Sequence, residues 1–350
     1  MRAVVFEEFG GPLSVEEVAD PRPSPDGAVV RVLATGLCRS DWHAWRGHDP
    51  DVSLPHVPGH ELAGEVVAVG SGVRRWKPGD RVTVPFVCAC GRCDQCASGN
   101  HQVCDHQFQP GFTGWGSFAE LVALDHADVN LVHLPDSFPA AAAAALGCRF
   151  GTAYRAVLRQ GALAAGEWVA VHGCGGVGLS AVLIARAAGA QVVAVDIDPE
   201  RRAAAVRLGA QAAVDPAEVP DPVAAVRELT GGGAHLSLDC AGLPQTCESS
   251  VRSLRKRGRH VQVGLLPPEQ GVPQIPMHQV IADELQLLGS HGLAAHEYPG
   301  MLDFVTHSDI DLTALVSRRI SLDEAPEALA GMDTPAPGQA GVTVIVPSER

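Results

Sequence analysis

Between Glu167 and Asp196 the chain reads EWVAVHGCGGVGLSAVLIARAAGAQVVAVD, a stretch that leaves a fold little freedom. The apolar run WVAVH leads directly into Gly173-x-Gly175-Gly176-x-Gly178, after which LSAVLIARAAG has helical character and stops at Gly189. A second apolar run, QVVAV, ends on an acid, Asp196, 18 residues beyond the last glycine. Strand, glycine turn, helix and strand make a β-α-β unit, in which glycines let backbone amides approach a pyrophosphate at a helix N-terminus. The glycine pattern alone is a weak signal, and its place between strand and helix makes it specific. Gly173, Gly175, Gly176, Val177 and Gly178 are thus the expected phosphate cradle. Asp196 is placed to accept both ribose hydroxyls and to repel a 2′-phosphate, which favours NAD over NADP. Asp198 and Glu200 add negative charge there, whereas Arg201 and Arg202 oppose it. Asp198 is also the expected cap of the next helix, with Pro199 in its first turn and Gly209 at its end.

Further strand-like runs fall at 212–215, 236–241, 260–264 and 285–290, alternating with helical stretches at 221–229 and 244–256. Six parallel strands with crossing helices predict a doubly wound domain over 151–290. Residues 1–150 are richer in Gly, Pro and short apolar runs, as expected of a mostly β domain. Residues 291–350 end in the strand-like VTVIV and are expected to return to that first domain. A length of 350 residues suits two domains, and 46% hydrophobic residues can fill two cores. The fold class is α/β.

PFVCACGRCDQCASGNHQVC, residues 85–104, then asks for an explanation. The N-terminus MRAVVFEEFGG breaks its apolar run at Glu7 and reads as a strand rather than a secretory signal. No stretch approaches the ~18 uninterrupted apolar residues of a membrane helix. A cytoplasmic setting follows, in which clustered thiols mean metal or catalysis rather than disulfides. Cys90, Cys93, Cys96 and Cys104 form C-x2-C-x2-C-x7-C, and Gly91 and Gly99 supply the backbone freedom of a knuckle. Four thiolates around one ion make a closed, structural zinc site; an iron–sulfur cluster is a distant second, and Cys88 has no evident role. The net charge of −14 argues against nucleic-acid and anionic-membrane partners, leaving a small uncharged molecule as the expected substrate.

A closed site does no chemistry, so catalysis must lie elsewhere. GLCRSDWH (36–43) offers thiol, hydroxyl, carboxylate and imidazole within six residues, and GHELAGEVVAVG (59–70) sets His60 and Glu61 between glycines. From the residues alone these are candidates only. Together with the cysteine lobe, GCRFGTAY (147–154), GCGGVG and VVAVDID, in this order, the chain resembles the zinc-containing medium-chain alcohol dehydrogenases over its whole length. That family pairs a GroES-like, mostly β catalytic domain with a Rossmann domain. The resemblance implies two zinc ions per chain, with Cys38, His60 and Cys148 binding the catalytic one and the fourth position open. It makes Asp41 the carboxylate that orients His60, Glu61 the carboxylate behind the metal, and Ser40 and His43 a proton relay. It also implies a pyrophosphate contact for Arg39, a place beside the nicotinamide for Thr152, cofactor contacts from Arg201, Val263 and Leu265, and a pocket wall at Phe86. A homo-oligomer, dimer or tetramer, is expected on the same ground.

Two positions qualify the match. Many family members carry an arginine after a glycine near the last strand, where it helps to hold the cofactor phosphates, but Gly341 is followed here by Val342. Cys148 stands where the polyol-dehydrogenase branch tends to use a carboxylate. The implied reaction is reversible hydride transfer between an alcohol, primary or apolar secondary, and NAD, with the aldehyde or ketone as the other partner. A specialised dehydrogenase of a polyol or a formaldehyde–thiol adduct is the alternative enzyme. A cofactor-binding structural protein is the alternative of another class.

Overall fold

The computed structural model describes residues 1–266, 271–308, 310–333 and 340–349. Its strands are β1 (Arg2–Val5), β2 (Ser14–Glu17), β3 (Ala28–Leu37), β4 (Leu62–Val69), β5 (Arg81–Thr83), β6 (Leu121–Leu124), β7 (Val132–His133), β8 (Trp168–His172), β9 (Gln191–Val195), β10 (Ala212–Val214), β11 (Ala234–Asp239), β12 (Leu254–Gln262), β13 (Gln286–Gly289), β14 (Val316–Ser321) and β15 (Val342–Val346).

β8 to β13 form a six-stranded sheet in the order β10-β9-β8-β11-β12-β13, every pair parallel. The order reverses between β8 and β11, and a crevice for a ligand opens at such a switch point, beyond the carboxyl ends of the strands. The helix Gly176–Ala187 starts there. Its Leu179, Val182, Leu183 and Ile184 are buried with Val169, Val171, Val192 and Ala194 of β8 and β9, so the glycine turn is pinned by core packing on both sides. Asp198 caps the helix Pro199–Arg207 by accepting from the Glu200 amide at 2.8 Å, as its sequence predicts. Asp221 and Pro222 repeat the device at the helix Pro222–Leu229.

One boundary differs from expectation. The helix begun at Pro244 ends at Arg252, and residues 254–256 belong to β12. Leu254 is buried with Val251 and Leu285, and a bulge in the pairing of β12 with β11 absorbs the charged residues after it. The run LRKRGRH lacks strand alternation because of that bulge.

The second sheet runs β14-β15-β3-β4-β5-β7, with β6 paired to β3. β15 pairs antiparallel to β3, setting Thr343 opposite Leu37. Strands from beyond residue 310 therefore complete the sheet that residues 28–133 begin. The two halves meet where Cys148 and the helix Arg149–Tyr154 pass from one to the other, and the fully buried Tyr298 hydroxyl donates to the carbonyl oxygens of Leu146 and Gly147, both at 3.2 Å, to hold that crossing.

Candidate functional site

The loop from Cys90 to Cys104 folds as a short helix, Asp94–Ala97, and one turn, His101–Val103, with Gly91 and Gly99 at φ of +73° and +81°. Cys93 Sγ lies 3.4 Å from Cys96 Sγ and 3.7 Å from Cys104 Sγ, and Cys90 Sγ lies 4.0 Å from Cys96 Sγ. A zinc ion at about 2.3 Å from four sulfurs requires sulfur–sulfur edges of about 3.8 Å; these three separations are close to that, and all four sulfurs lie within 4.8 Å of one another. The amides of Cys90 and His106 both donate to Cys104 Sγ at 3.3 Å, which favours thiolate. Burial and a hydrogen bond from the backbone act on these thiols in opposite directions, and at Cys90 the amides of Arg92 and Cys93 win, lowering the pKa to about 6. Cys88 takes no part. It is buried in the core of β3 to β6, where burial pushes its thiol up.

The second cluster draws on three distant segments. Cys38 lies between β3 and the helix Arg39–Trp45, His60 and Glu61 precede β4, and Cys148 precedes the helix Arg149–Tyr154. Ligand atoms of Cys38, His60, Glu61 and Cys148 all lie within 4.8 Å of one another. Asp41 is fully buried beneath them. Its Oδ1 accepts from His60 Nδ1 at 2.8 Å and from the Gly59 amide at 3.1 Å, and its Oδ2 accepts from the Cys38 amide at 2.9 Å. His60 Nδ1 is thereby committed, while the buried Nε2 has no hydrogen-bond partner among the described residues. A buried ring nitrogen without a partner beside two thiols is what a metal ligand looks like before its ion is drawn in.

The charges agree. The hydrogen bond from Cys148 holds the Cys38 thiol well below its ordinary pKa, and the same bond, helped by burial, pushes Cys148 up. Burial opposes charge on His60, but Asp41 and Cys38 outweigh it and raise the imidazole. The lowered Cys38 thiol and the buried Asp41 carboxylate place negative charge beside His60, a setting that suits a bound cation.

Around this cluster the other expected residues fall as follows. Ser40 Oγ lies 3.8 Å from Cys38 Sγ. His43 Nδ1 lies 2.9 Å from His48 Nδ1, and no hydrogen bond among the described residues joins it to Ser40. Arg39 stacks over the Trp42 ring at 4.0 Å and donates to the Met332 carbonyl. The Phe86 ring is 6.2 Å from that of His60 and 5.2 Å from that of His291, and Phe112, from the loop 107–115, stands 5.3 Å from His60. Thr152 is buried one helical turn beyond Cys148.

At the glycine turn, Gly173 has φ +90°, and a Cβ there would meet the Ala241 amide at 2.8 Å, whereas Gly175 faces open space. Asp196 accepts from the Cys174 amide at 2.6 Å and from the Asp198 amide at 2.9 Å, so its carboxylate is held at the mouth of the turn. Arg202 is tied to the Asp196 carbonyl at 2.8 Å and to Asp215 at 2.7 Å, and Arg201 faces Asp198 at 3.6 Å. Val263 and Gly264 donate to the Asp239 carbonyl at 3.0 and 2.8 Å, bringing the end of β12 across the crevice; Leu265 follows, exposed.

One residue escaped the reading from sequence. Arg149, next to Cys148, is buried and ion-paired to Glu61. Its signal was the charge inside GCRFGTAY, a cation in an otherwise small and apolar turn.

Residues 24–136 match the family model of the alcohol dehydrogenase GroES-like domain, and residues 176–307 match that of the zinc-binding dehydrogenases. An alcohol dehydrogenase of Geobacillus stearothermophilus is 39% identical over 294 residues, covering 83% of this chain and 84% of its own. A geraniol dehydrogenase of Castellaniella defragrans is 35% identical, covering 94% and 93%. A zinc-binding dehydrogenase of Sinorhizobium meliloti 1021, solved bound to NADP, superposes with a TM-score of 0.86 at 32% identity over 99% of each chain. The chain belongs to the zinc-containing medium-chain dehydrogenase/reductase family, within its alcohol dehydrogenases. It is an oxidoreductase of the α/β class, with a GroES-like half and a Rossmann half, and no helix among the described residues is long and apolar enough to cross a membrane.

Proposed function

We propose that this chain oxidises primary and apolar secondary alcohols, reversibly, with NAD, and holds two zinc ions. Cys90, Cys93, Cys96 and Cys104 hold the structural ion; Cys38, His60 and Cys148 hold the catalytic one. When bound, that zinc supplies Lewis acidity, which eases deprotonation of an alcohol hydroxyl or polarises a carbonyl, and the dinucleotide accepts or returns hydride. Asp41 fixes the His60 tautomer. Ser40 takes the proton first and His43 passes it outward, with His48 beside it. The glycine turn receives the pyrophosphate, Thr152, Val263 and Leu265 border the nicotinamide side, and Asp196 accepts the ribose hydroxyls. Arg39 and Arg201 are the peripheral cations of that site. Phe86 and Phe112 give the pocket apolar walls. A relative named for geraniol, a long apolar alcohol, is in keeping with such walls.

The observation that carries this reading is His60 Nε2, which lies beside Cys38 and Cys148 with no hydrogen-bond partner among the described residues. Its test is a panel of alcohols assayed with NAD and with NADP by absorbance of the reduced cofactor. NAD should lead by at least about tenfold in kcat/KM, about 1.4 kcal/mol, from one carboxylate opposing a phosphate. Equal efficiency with both cofactors overturns the choice of NAD, and no turnover by a fully zinc-loaded protein favours the non-catalytic alternative.

The same reading includes a homo-oligomer, in a cytoplasmic setting. Among the described residues β13 is an edge of its sheet, with Leu287 exposed on it and Ile281 76% exposed on the preceding helix. A second copy of this edge is the partner that extends the sheet. Sedimentation should give a dimer or larger, and a monomer at micromolar concentration would overturn it.

A further inference from the structure

The run LRKRGRH puts four cations, Arg255, Lys256, Arg257 and Arg259, close together in a chain whose net charge is −14. The bulge between β11 and β12 decides where they go. β11 advances from Ala234 to Leu236 while β12 advances from Leu254 to Arg259, so the residues between leave the pairing near the amino ends of the strands. There the four cations, with His235 and Glu167, line a surface cavity of about 360 Å³. The glycine turn lies at the opposite end, after the carboxyl end of β8.

Few counter-charges reach this cavity. Glu167 is already committed, because its Oε2 accepts from the Ala164 amide at 3.0 Å and from Arg259 at 2.6 Å. Arg257 faces Glu284 at 3.9 Å, and their side chains are 83% and 79% exposed, a pair worth little in water. Arg255 and Lys256 make no ion pair among the described residues. Arg255 is also short of an acceptor. One terminal nitrogen of its guanidinium lies 2.7 Å from His235 Nε2, while the Trp168 amide donates to His235 Nδ1 at 3.0 Å. Burial, followed by Arg255, lowers the His235 pKa and favours the neutral ring. A neutral imidazole has one lone pair and one N–H, so it accepts from one of these donors and turns its own N–H towards the other. The Trp168 amide is fixed by its strand, and the surplus donor is Arg255.

An ordinary basic face holds its cations apart in water, where salt screens them. Here Arg255 is half-buried and the Arg259 side chain is 15% exposed, so like charges are held together with donors left over. We propose that this cavity is an anion site, separate from the glycine turn, which binds a small phosphate compound, a diphosphate or phosphate monoester, through Arg255 and Lys256, with Arg257 and His235 at its rim. A phosphate oxygen supplies the acceptor that Arg255 lacks. The His235 Nε2–H that now faces the guanidinium gains an acceptor from the same anion. The size of the cavity and the acidity of the rest of the chain both select a compact ligand over an extended polyanion such as nucleic acid.

The test is calorimetric titration of the full chain with inorganic pyrophosphate at low salt, beside a short DNA duplex. Pyrophosphate should bind, and Arg255→Gln combined with Lys256→Gln should lower its affinity by about tenfold or more, since a hydrogen bond to a charged group is worth about that factor. Should the double variant fail to fold, Lys256→Glu alone, on an exposed side chain, should give the same loss. Raising salt from about 0.05 M to about 0.5 M should weaken binding to the parent. Hydrogen exchange over residues 254–260 should slow on binding in the parent, which separates this site from the glycine turn. No binding, or equal binding by the parent and the folded variants, overturns the proposal. So does slowed exchange confined to residues 173–178, which puts the probe on the glycine turn alone. Binding of the duplex without binding of pyrophosphate also overturns it, in favour of a surface for an extended polyanion.

Discussion

Replacing Asp41 by Asn is the sharpest probe of the proposed catalytic cluster, because the two side chains differ by little more than a charge and one donor. Asp41 Oδ1 accepts two bonds, from His60 Nδ1 and the Gly59 amide, and Oδ2 accepts one, from the Cys38 amide. In asparagine one of those oxygens becomes an NH2 group. If the amide keeps its oxygen towards His60, its nitrogen meets the Cys38 N–H donor to donor; turned over, it loses two bonds instead of one. Leaving a buried donor unmade costs about 1–3 kcal/mol, so the metal-free variant should unfold with about 2 kcal/mol less stability. Metal binding suffers separately, since losing the carboxylate that orients a ligating histidine typically costs about 10- to 100-fold in affinity, or about 1.4–2.7 kcal/mol. The cysteine lobe shares no side chain with Asp41 and should keep its ion. Titration with a chelator, with released zinc quantified, should show one ion leaving early and the other at its usual concentration, alongside a lower urea midpoint for the metal-free protein. Two ions released as in the parent, at an unchanged urea midpoint, would falsify the role given to Asp41.

Three further outcomes are expected. Cys93→Ser should lower zinc content to about one per chain and lower thermal stability with it, since metal binding at a closed thiolate site is folding free energy; two retained ions and an unchanged midpoint in a melting scan contradict a structural ion there. Burial, with Arg39 and His48 adding to it, lowers the His43 pKa, which favours the neutral imidazole that can accept a proton. His43→Gln should therefore lose about 10²- to 10⁴-fold in the chemical step, most at low pH where hydroxide cannot substitute, and an unchanged pH–rate profile removes His43 from the relay. Burial, with His260 a smaller contributor, drives His172 down from 6.5 to about 3. The unfolded chain takes that proton and the folded chain does not, so this contribution is full above pH 6.5 and is lost as pH falls towards 3, by at most about 1.4 kcal/mol per pH unit. His172→Gln should flatten the acid side of a urea-midpoint-against-pH curve, and an equally steep curve shows that the loss lies elsewhere.

Local spacing carried the parts of this protein that are built from neighbours in sequence. The glycine turn, the two flanking strands, the Asp198 cap and the cysteine lobe each lie within about one supersecondary unit, where backbone geometry ties residue type to position. For that reason GCGGVG and the four clustered cysteines could be read almost as they stand. Where the periodicity was interrupted, the reading slipped: the charged run after Leu254 hid a bulged strand, because sheet pairing with β11 rather than residue propensity decides that segment.

The cluster of Cys38, His60 and Cys148 is of the other kind. Cys38, His60 and Cys148 come from three segments up to 110 residues apart, and no spacing in the chain says that they meet; only family resemblance suggested it. Their meeting depends on the order of β3, β4 and β15 in one sheet and on Tyr298 holding the turn before Cys148. The tertiary structure likewise decided that Asp41 serves three donors, that Arg39 leans on Trp42, and that Arg149 is Glu61's partner. Sequence sets which groups are available and which short loops they can form. Which buried charge faces which is settled by the packing of distant strands, because inside a protein an ionised group is tolerated only where the fold brings its counter-charge and donors into contact.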